Sequence, residues 1–242
     1  MIAHEISMAR TTLFSILIGL AVFFGIALVR GQESTNHFSF NDYLLVPVRV
    51  HLLSARAVPL VQTTLRESDV KRILAKLNAI WAQAGLHFYL ESLVSEEANE
   101  PETYAQPATE GDSSGLLRLR PFGSQATNMF HIYYLKQMAM NGIYFPEAIF
   151  VKDSASLRMV PGGIDEPLPR VTSHELGHAL GLPHRQDTTN LMSSGTTGIW
   201  LNETEIQQAR SVARGIGWIE SAPDAMNRAS RVAQRTLEII RM

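Results

Sequence analysis

Cysteine is absent from all 242 residues. That excludes disulfides, cysteine-ligated zinc, thiol nucleophiles and iron–sulfur clusters. It also excludes one way of silencing an enzyme, a pro-segment thiolate that caps a metal. An excess of one charge is missing too. The 21 Lys+Arg and 23 Asp+Glu leave a net charge of −2, so the basic surface that nucleic acid requires is not there. Internal repeats are lacking. With 45% hydrophobic and 18% charged residues, the chain reads as globular rather than disordered. Nothing in the sequence sets the oligomeric state.

Charge is also missing from a run of seventeen residues, Leu13 to Val29, between Arg10 and Arg30. A secretory apolar region usually spans about 7–15 residues and a membrane-crossing helix about 20. This run falls between them and reads as either a cleaved signal or a retained anchor. Small residues for cleavage occur at Gly25-Ile26-Ala27 and Val29-Arg30-Gly31. A buried helix of a folded domain would carry a polar stripe, and this run has none. Residues 1–31 are thus expected to be a signal peptide or membrane anchor, 32–42 a linker, 43–220 the main domain and 221–242 a C-terminal helix. Either sorting role places residues 32–242 outside the cytoplasm, with membrane contact through the apolar segment if it is retained. The short linker leaves no room for a large pro-domain, only for a short capping segment containing Asp42.

In the main domain, Val46, Val48, Val50 and Leu52 alternate with Pro47, Arg49 and His51. That period of two predicts a strand with one buried face. After Ser68, a plausible N-cap, Val70, Ile73, Leu74, Leu77, Ile80, Trp81 and Ala84 follow at helical spacing, and Gly85 is a stop. Leu86 to Leu90 reads as a second strand, and a crossover of this length fits a parallel pair. Residues 94–127 mix carboxylates with Pro, Gly and Ser and read as a solvated loop or insertion, with no calcium-loop spacing. Further strands are expected at Met129–Leu135, Asn141–Phe145 and Ala148–Lys152. Asn202 can cap a helix reaching about Gly215. A last helix from about Asp224 shows Ala229, Val232, Ala233, Leu237 and Ile240 on one face, expected to pack on the body.

Residues 171–184 read VTSHELGHALGLPH. His174 and His178, four apart on a helix, present both imidazoles on one face within reach of one ion. Glu175 can lean over the same site without ligating it. Gly181 stands where the helix should end, able to take the left-handed conformation and reverse the chain. That turn, stiffened by Pro183, would return His184 as a third ligand. Three nitrogens leave a tetrahedral zinc one position for water, the catalytic rather than the structural pattern. By this composition, His-Glu-x-x-His alone arises by chance in roughly 2% of such sequences, but with Gly181 and His184 at fixed offsets in roughly a few per 100,000. His4, His37, His51, His87 and His131 show no ligand spacing.

The segment His174-Glu175-Leu176-Gly177-His178-Ala179-Leu180-Gly181-Leu182-Pro183-His184 resembles the extended zinc motif of the metzincin metallopeptidases, sharply over 170–193 and loosely over 43–215. The resemblance implies an α+β fold with a mixed five-stranded twisted sheet, an active-site helix and a C-terminal helical part. It implies one catalytic zinc ion on His174, His178 and His184, Glu175 as general base, and Met192 in a tight turn beneath the metal. It further implies an edge strand, antiparallel to the others, that pairs with extended substrate. By chain order this strand is Gly142, Ile143, Tyr144 and Phe145, which can equally be plain structure. Trp200 falls where the family builds a specificity-pocket wall, or in ordinary core. Ser194 stands where some members place a tyrosine ligand. Arg185 matches no subfamily marker, leaving matrixin-like and pappalysin-like branches open. The implied activity is zinc-dependent endopeptidase on a protein or peptide substrate. The alternatives are a zinc amidase acting on cell-wall peptides and a catalytically inactive zinc-binding adhesion or scaffold module.

Overall fold

The computed structural model describes residues 40–104 and 114–228. The chain divides into two units, one of residues 38–222 and one of residues 1–37 with 223–242. Only the first holds the elements below.

Strand β1 (Leu44–Ser54) buries Val46, Val48, Val50 and Leu52, as their alternation predicts. Its opposite face is buried too, through His51 and Leu53, which corrects the expectation of a single buried face. Helix α1 (Glu67–Trp81) buries Val70, Ile73, Leu74, Leu77, Ile80 and Trp81 against the sheet. Its N-cap is Arg66 rather than Ser68. The Asp69 carboxylate, three residues on, accepts the Arg66 backbone N–H at 3.0 Å, satisfying a donor that a cap would otherwise have to meet. A short 3-10 turn (Ala82–Ala84) follows, and Gly85 ends it in the left-handed region at φ 59°.

Strand β2 (Leu86–Glu97) pairs in parallel with β1, as the helical crossover requires. It runs well past the Leu90 end expected from the apolar pattern. Helix α2 (Ser114–Arg118) follows. Strands β3 (Phe130–Leu135), β4 (Gly142–Phe145) and β5 (Ala148–Lys152) complete a sheet ordered β2-β1-β3-β5-β4. All neighbours are parallel except β4, the antiparallel edge. A sixth strand, β6 (Glu220–Ser221), pairs antiparallel with the start of β1, below the point where β3 begins to pair. The sheet is thus the expected mixed one, with a two-residue addition where the chain returns after its last helix.

Helices α3 (Pro167–Ala179) and α4 (Glu203–Gly215) share one apolar cluster with α1 and the sheet residues Val46, Val48, Val50, Ile132 and Val151. The other sheet face, through Leu53, Tyr133, Leu135 and Phe150, has its own cluster with Ala98, Tyr104, Leu116, Leu119 and Met138. Residues 94–127 are therefore not simply a solvated loop. Their few apolar side chains, hidden among carboxylates and glycines, cover the second face of the sheet.

A hydrogen-bonded array crosses this second layer. His131 Nε2 donates to the Ala126 carbonyl at 2.7 Å, which leaves its Nδ1 to accept from His51 Nε2 at 2.9 Å. His51 Nδ1 then faces Glu96 Oε1, which also accepts from Ser124 Oγ at 2.9 Å. A proton on Glu96 completes the chain, and burial pushes the Glu96 carboxyl up in that direction.

Asp42 pairs with Arg210 at 2.8 Å and Arg214 at 2.7 Å on α4, so its carboxylate is engaged there and is not a metal cap. Residues 222–228 are helical, slightly ahead of the expected start at Asp224. The apolar face from Ala229 to Ile240, the run Leu13–Val29, most of the linker, His4 and His37 lie outside the described residues. Among the described residues no helix is long and apolar enough to cross a membrane.

Candidate metal centre

Helix α3 starts with Pro167 and Pro169 in its first turn, where the missing N–H groups are no loss. It ends in a Schellman turn. Leu182 N donates to the Gly177 carbonyl and Gly181 N to the His178 carbonyl, each at 2.9 Å, with Gly181 left-handed at φ 79°. The reversal delivers His184 to the face that carries His174 and His178.

Two of the three rings are oriented by backbone. His174 Nδ1 donates to the Leu191 carbonyl and His178 Nδ1 to the Leu182 carbonyl, each at 2.8 Å. That fixes both tautomers, so the two Nε2 atoms carry lone pairs. They lie 3.2 Å apart, and His178 Nε2 is 3.1 Å from His184 Nε2. The 3.2 Å pair has no proton to share and is no hydrogen bond. A tetrahedral ion with bonds of about 2.0–2.1 Å spaces its ligand atoms about 3.3 Å apart. The cluster matches that spacing, and His174, His178 and His184 can hold one metal ion. Burial pushes the His174 imidazole down to about 3, with the Arg170 charge adding to it, and burial also lowers His178. Both rings are therefore neutral at physiological pH, the form that ligates.

Glu175 is 5% exposed. Burial raises its carboxyl to about 8, against the opposing pull of Arg170. Strand β4 lies directly against it. A Cβ on Gly142 would stand 2.6 Å from Glu175 Oε1 and 2.7 Å from Val171 Cγ1. Tyr144, two residues on, packs with the helix-side cluster, whereas Ile143 and Phe145 pack with the opposite one. Of the four edge residues expected near substrate, Gly142 and Tyr144 thus belong to the metal side of the sheet.

Met192 is fully buried. Its sulfur occupies the space beside Gly177, 2.5 Å from where a Cβ would lie. Its N–H donates to Asn190 Oδ1 at 2.7 Å, and Ser193 N closes a turn onto the Asn190 carbonyl at 3.1 Å. Met192 therefore packs against Gly177 of the ligand-bearing helix. Trp200 is 49% exposed, which removes it from ordinary core. Its Nε1 lies 3.4 Å from the Cβ position of Gly162, and its backbone pairs with Thr189 and Leu191.

Three polar residues around the centre lie outside the histidine motif. Arg170, 2% exposed, donates from Nε to the Gly198 carbonyl at 3.1 Å and from an Nη to the Ser193 carbonyl. It joins α3 to the segment after Met192. Burial pushes its guanidinium down to about 10, still a cation at neutral pH. Glu205 and Asn190 are buried and bonded to each other at 2.8 Å. The only sequence sign of either is Glu205 three residues after the Asn202 cap, which marks a capping box.

No protein-family model matches the chain, and no curated protein matches it. Among solved structures it is similar to an archaemetzincin from Methanopyrus kandleri, at 11% identity over 70% of this chain and 96% of that one, with a TM-score of 0.48. Metalloproteinase-II from Bacteroides fragilis is similar at 13% identity over 75% of this chain and 55% of that one, TM-score 0.44. A zinc-dependent peptidase from Methanocorpusculum labreanum is similar at 11% identity over 68% of this chain and 98% of that one, TM-score 0.35. At these low scores the reading of the site rests on its own geometry. The mixed sheet with an antiparallel edge and the three-histidine cluster are what the metzincin resemblance implies.

Proposed function

We propose that this protein is a zinc-dependent endopeptidase, with His174, His178 and His184 as the ligands and Glu175 as the general base. The observation that carries the proposal is the convergence of these three imidazole nitrogens, with the buried Glu175 next to His174 on the same helix. Zinc held by His174, His178 and His184 would supply a Lewis acid there and would ease the deprotonation of water. Glu175 takes the proton from the attacking water, keeps it in a site closed by Gly142 and Val171, and hands it to the leaving amine. A carboxyl raised by burial suits this exchange, because it both accepts and returns a proton near neutral pH. The β4 edge, which lies against Glu175, offers backbone groups to an extended peptide, and Tyr144 and the half-exposed Trp200 offer apolar surface for its side chains. The apolar segment before residue 31 makes export, with secretion or anchoring, the matching location.

The test is mass-spectrometric profiling of a peptide library with zinc-loaded protein lacking residues 1–31. Cuts made by the wild type and missing with Glu175→Ala are expected, at unchanged zinc content. Equal cutting by Glu175→Ala would remove Glu175 as the base. A zinc-loaded, folded wild type that cuts no peptide would overturn the endopeptidase reading.

A further inference from the structure

The three ligands are not held alike. His174 and His178 each donate Nδ1–H to a backbone carbonyl. The exposed His184 has no such acceptor among the described residues. Its ring touches the rings of His174 and His178, so what places it from outside the cluster is the backbone on either side. Before it lies the Gly181 reversal. After it stands Arg185, the residue that fits no subfamily marker.

Arg185 is clamped twice. Its backbone N–H donates to the Met192 carbonyl at 2.9 Å, and its Nε donates to Glu205 Oε1 at 2.6 Å. Glu205, on the first turn of α4, has no exposed surface. Its Oε2 accepts from the Asn202 backbone N–H and from Asn190 Nδ2, each at 2.8 Å. Asn190 Oδ1 in turn holds the Met192 N–H at 2.7 Å. One buried carboxylate thus ties the strand of chain leaving the third ligand to the turn beneath the metal.

Capping α4 would need only Oε2. The second oxygen is spent on Arg185, and a buried carboxylate is costly unless its partners justify it. We infer that Glu205 is a positioning residue for the metal centre and acts on His184 through Arg185. It touches neither metal nor substrate. Groups that orient metal ligands from behind typically set metal affinity by about 10–100-fold.

The inference rests on His184 being a ligand, as proposed above, and its test reads metal binding rather than cleavage. Zinc affinity is measured by chelator competition on the full chain and on Arg185→Met, Glu205→Gln and the double variant. Visible absorption of the cobalt-substituted proteins is compared with that of His184→Ala. Arg185→Met and Glu205→Gln should each weaken zinc binding about 10–100-fold. The double variant should be no weaker than the worse single one, because both break one connection. The cobalt bands should move toward those of His184→Ala, which a loss of fold stability alone would not produce. Arg185 is 41% exposed, so Arg185→Met carries the test should Glu205→Gln fail to fold. Wild-type zinc affinity and cobalt bands in folded Arg185→Met, or additive losses in the double variant, would overturn the inference. A wild type that binds zinc but cleaves nothing would refute the peptidase reading and leave this one standing.

Discussion

At the scale of single residues, the chemistry is concentrated in groups that sit next to each other in the sequence. Three histidines and a glutamate within eleven residues can be read directly, because helical spacing and one glycine turn determine where their side chains go. Gly142 is different. Its proximity to Glu175 depends on how β4 lies across α3, which no local pattern encodes. The absent side chain is what lets the edge strand approach Glu175. In Gly142→Ala the new methyl would stand 2.6 Å from Glu175 Oε1, so either the carboxylate or the strand must move. With Glu175 as the proposed base, its displacement should cost about 10–100-fold in kcat. Zinc stoichiometry should be unchanged, since no ligand is touched. Steady-state kinetics with metal analysis checks this, and an unaltered kcat would mean that the strand yields without moving Glu175.

At the scale of elements, α3 and the loop that follows it act as one part. Gly181 supplies the left-handed turn at φ 79°, and Val212 Cγ2 of α4 lies 3.2 Å from its Cβ position. Gly181→Ala should cost about 1–2 kcal/mol for the left-handed backbone alone and should weaken zinc binding as His184 swings. Urea unfolding of the metal-free protein and chelator competition measure the two effects separately. Arg170 secures the other side. Replacing it with Leu would leave the buried Ser193 and Gly198 carbonyls without partners, a loss of about 2–5 kcal/mol in urea unfolding. The C-terminal stop of α3, the ends of α4, the alternation in β1 and the succession of strands along the chain were legible because each is a local pattern. Arg170 was not, because a lone arginine directly after Pro169 looks like surface until the loop of residues 190–198 folds over it. The true cap of α1 was hidden for a related reason. Ser68 has the commoner cap chemistry, but Asp69 satisfies the Arg66 N–H and moves the helix start back.

At the scale of the molecule, the sheet has two apolar layers, and only the helical one shows in the sequence pattern. The second layer is built on the sheet from residues scattered over 55–61 and 98–138, and in the longer stretch acidic and small residues dilute the apolar signal. It also holds the array of His131, His51 and Glu96, whose members come from three strands and have no spacing to betray them. This array ties stability to pH. Burial, aided by His131 and Arg49, lowers the His51 imidazole to about 3 from 6.5. The folded chain therefore refuses a proton that the unfolded chain accepts below 6.5. The contribution of neutral His51 is complete above pH 6.5 and is lost as pH falls through the window from 6.5 toward 3. His51→Gln keeps a polar group at this position and has nothing to titrate. At pH 7 the variant should be the less stable protein. Between pH 7 and pH 5 its deficit should shrink by about 2 kcal/mol, because only the wild type pays for keeping that proton off. Glu96, raised in the folded state, pulls in the opposite direction between 4.5 and its folded value, but it is present in both proteins. Urea midpoints of the metal-free forms at the two pH values supply the comparison. A deficit that stays constant would mean that His51 takes up its proton inside the fold, with the Glu96 carboxylate as its counter-ion.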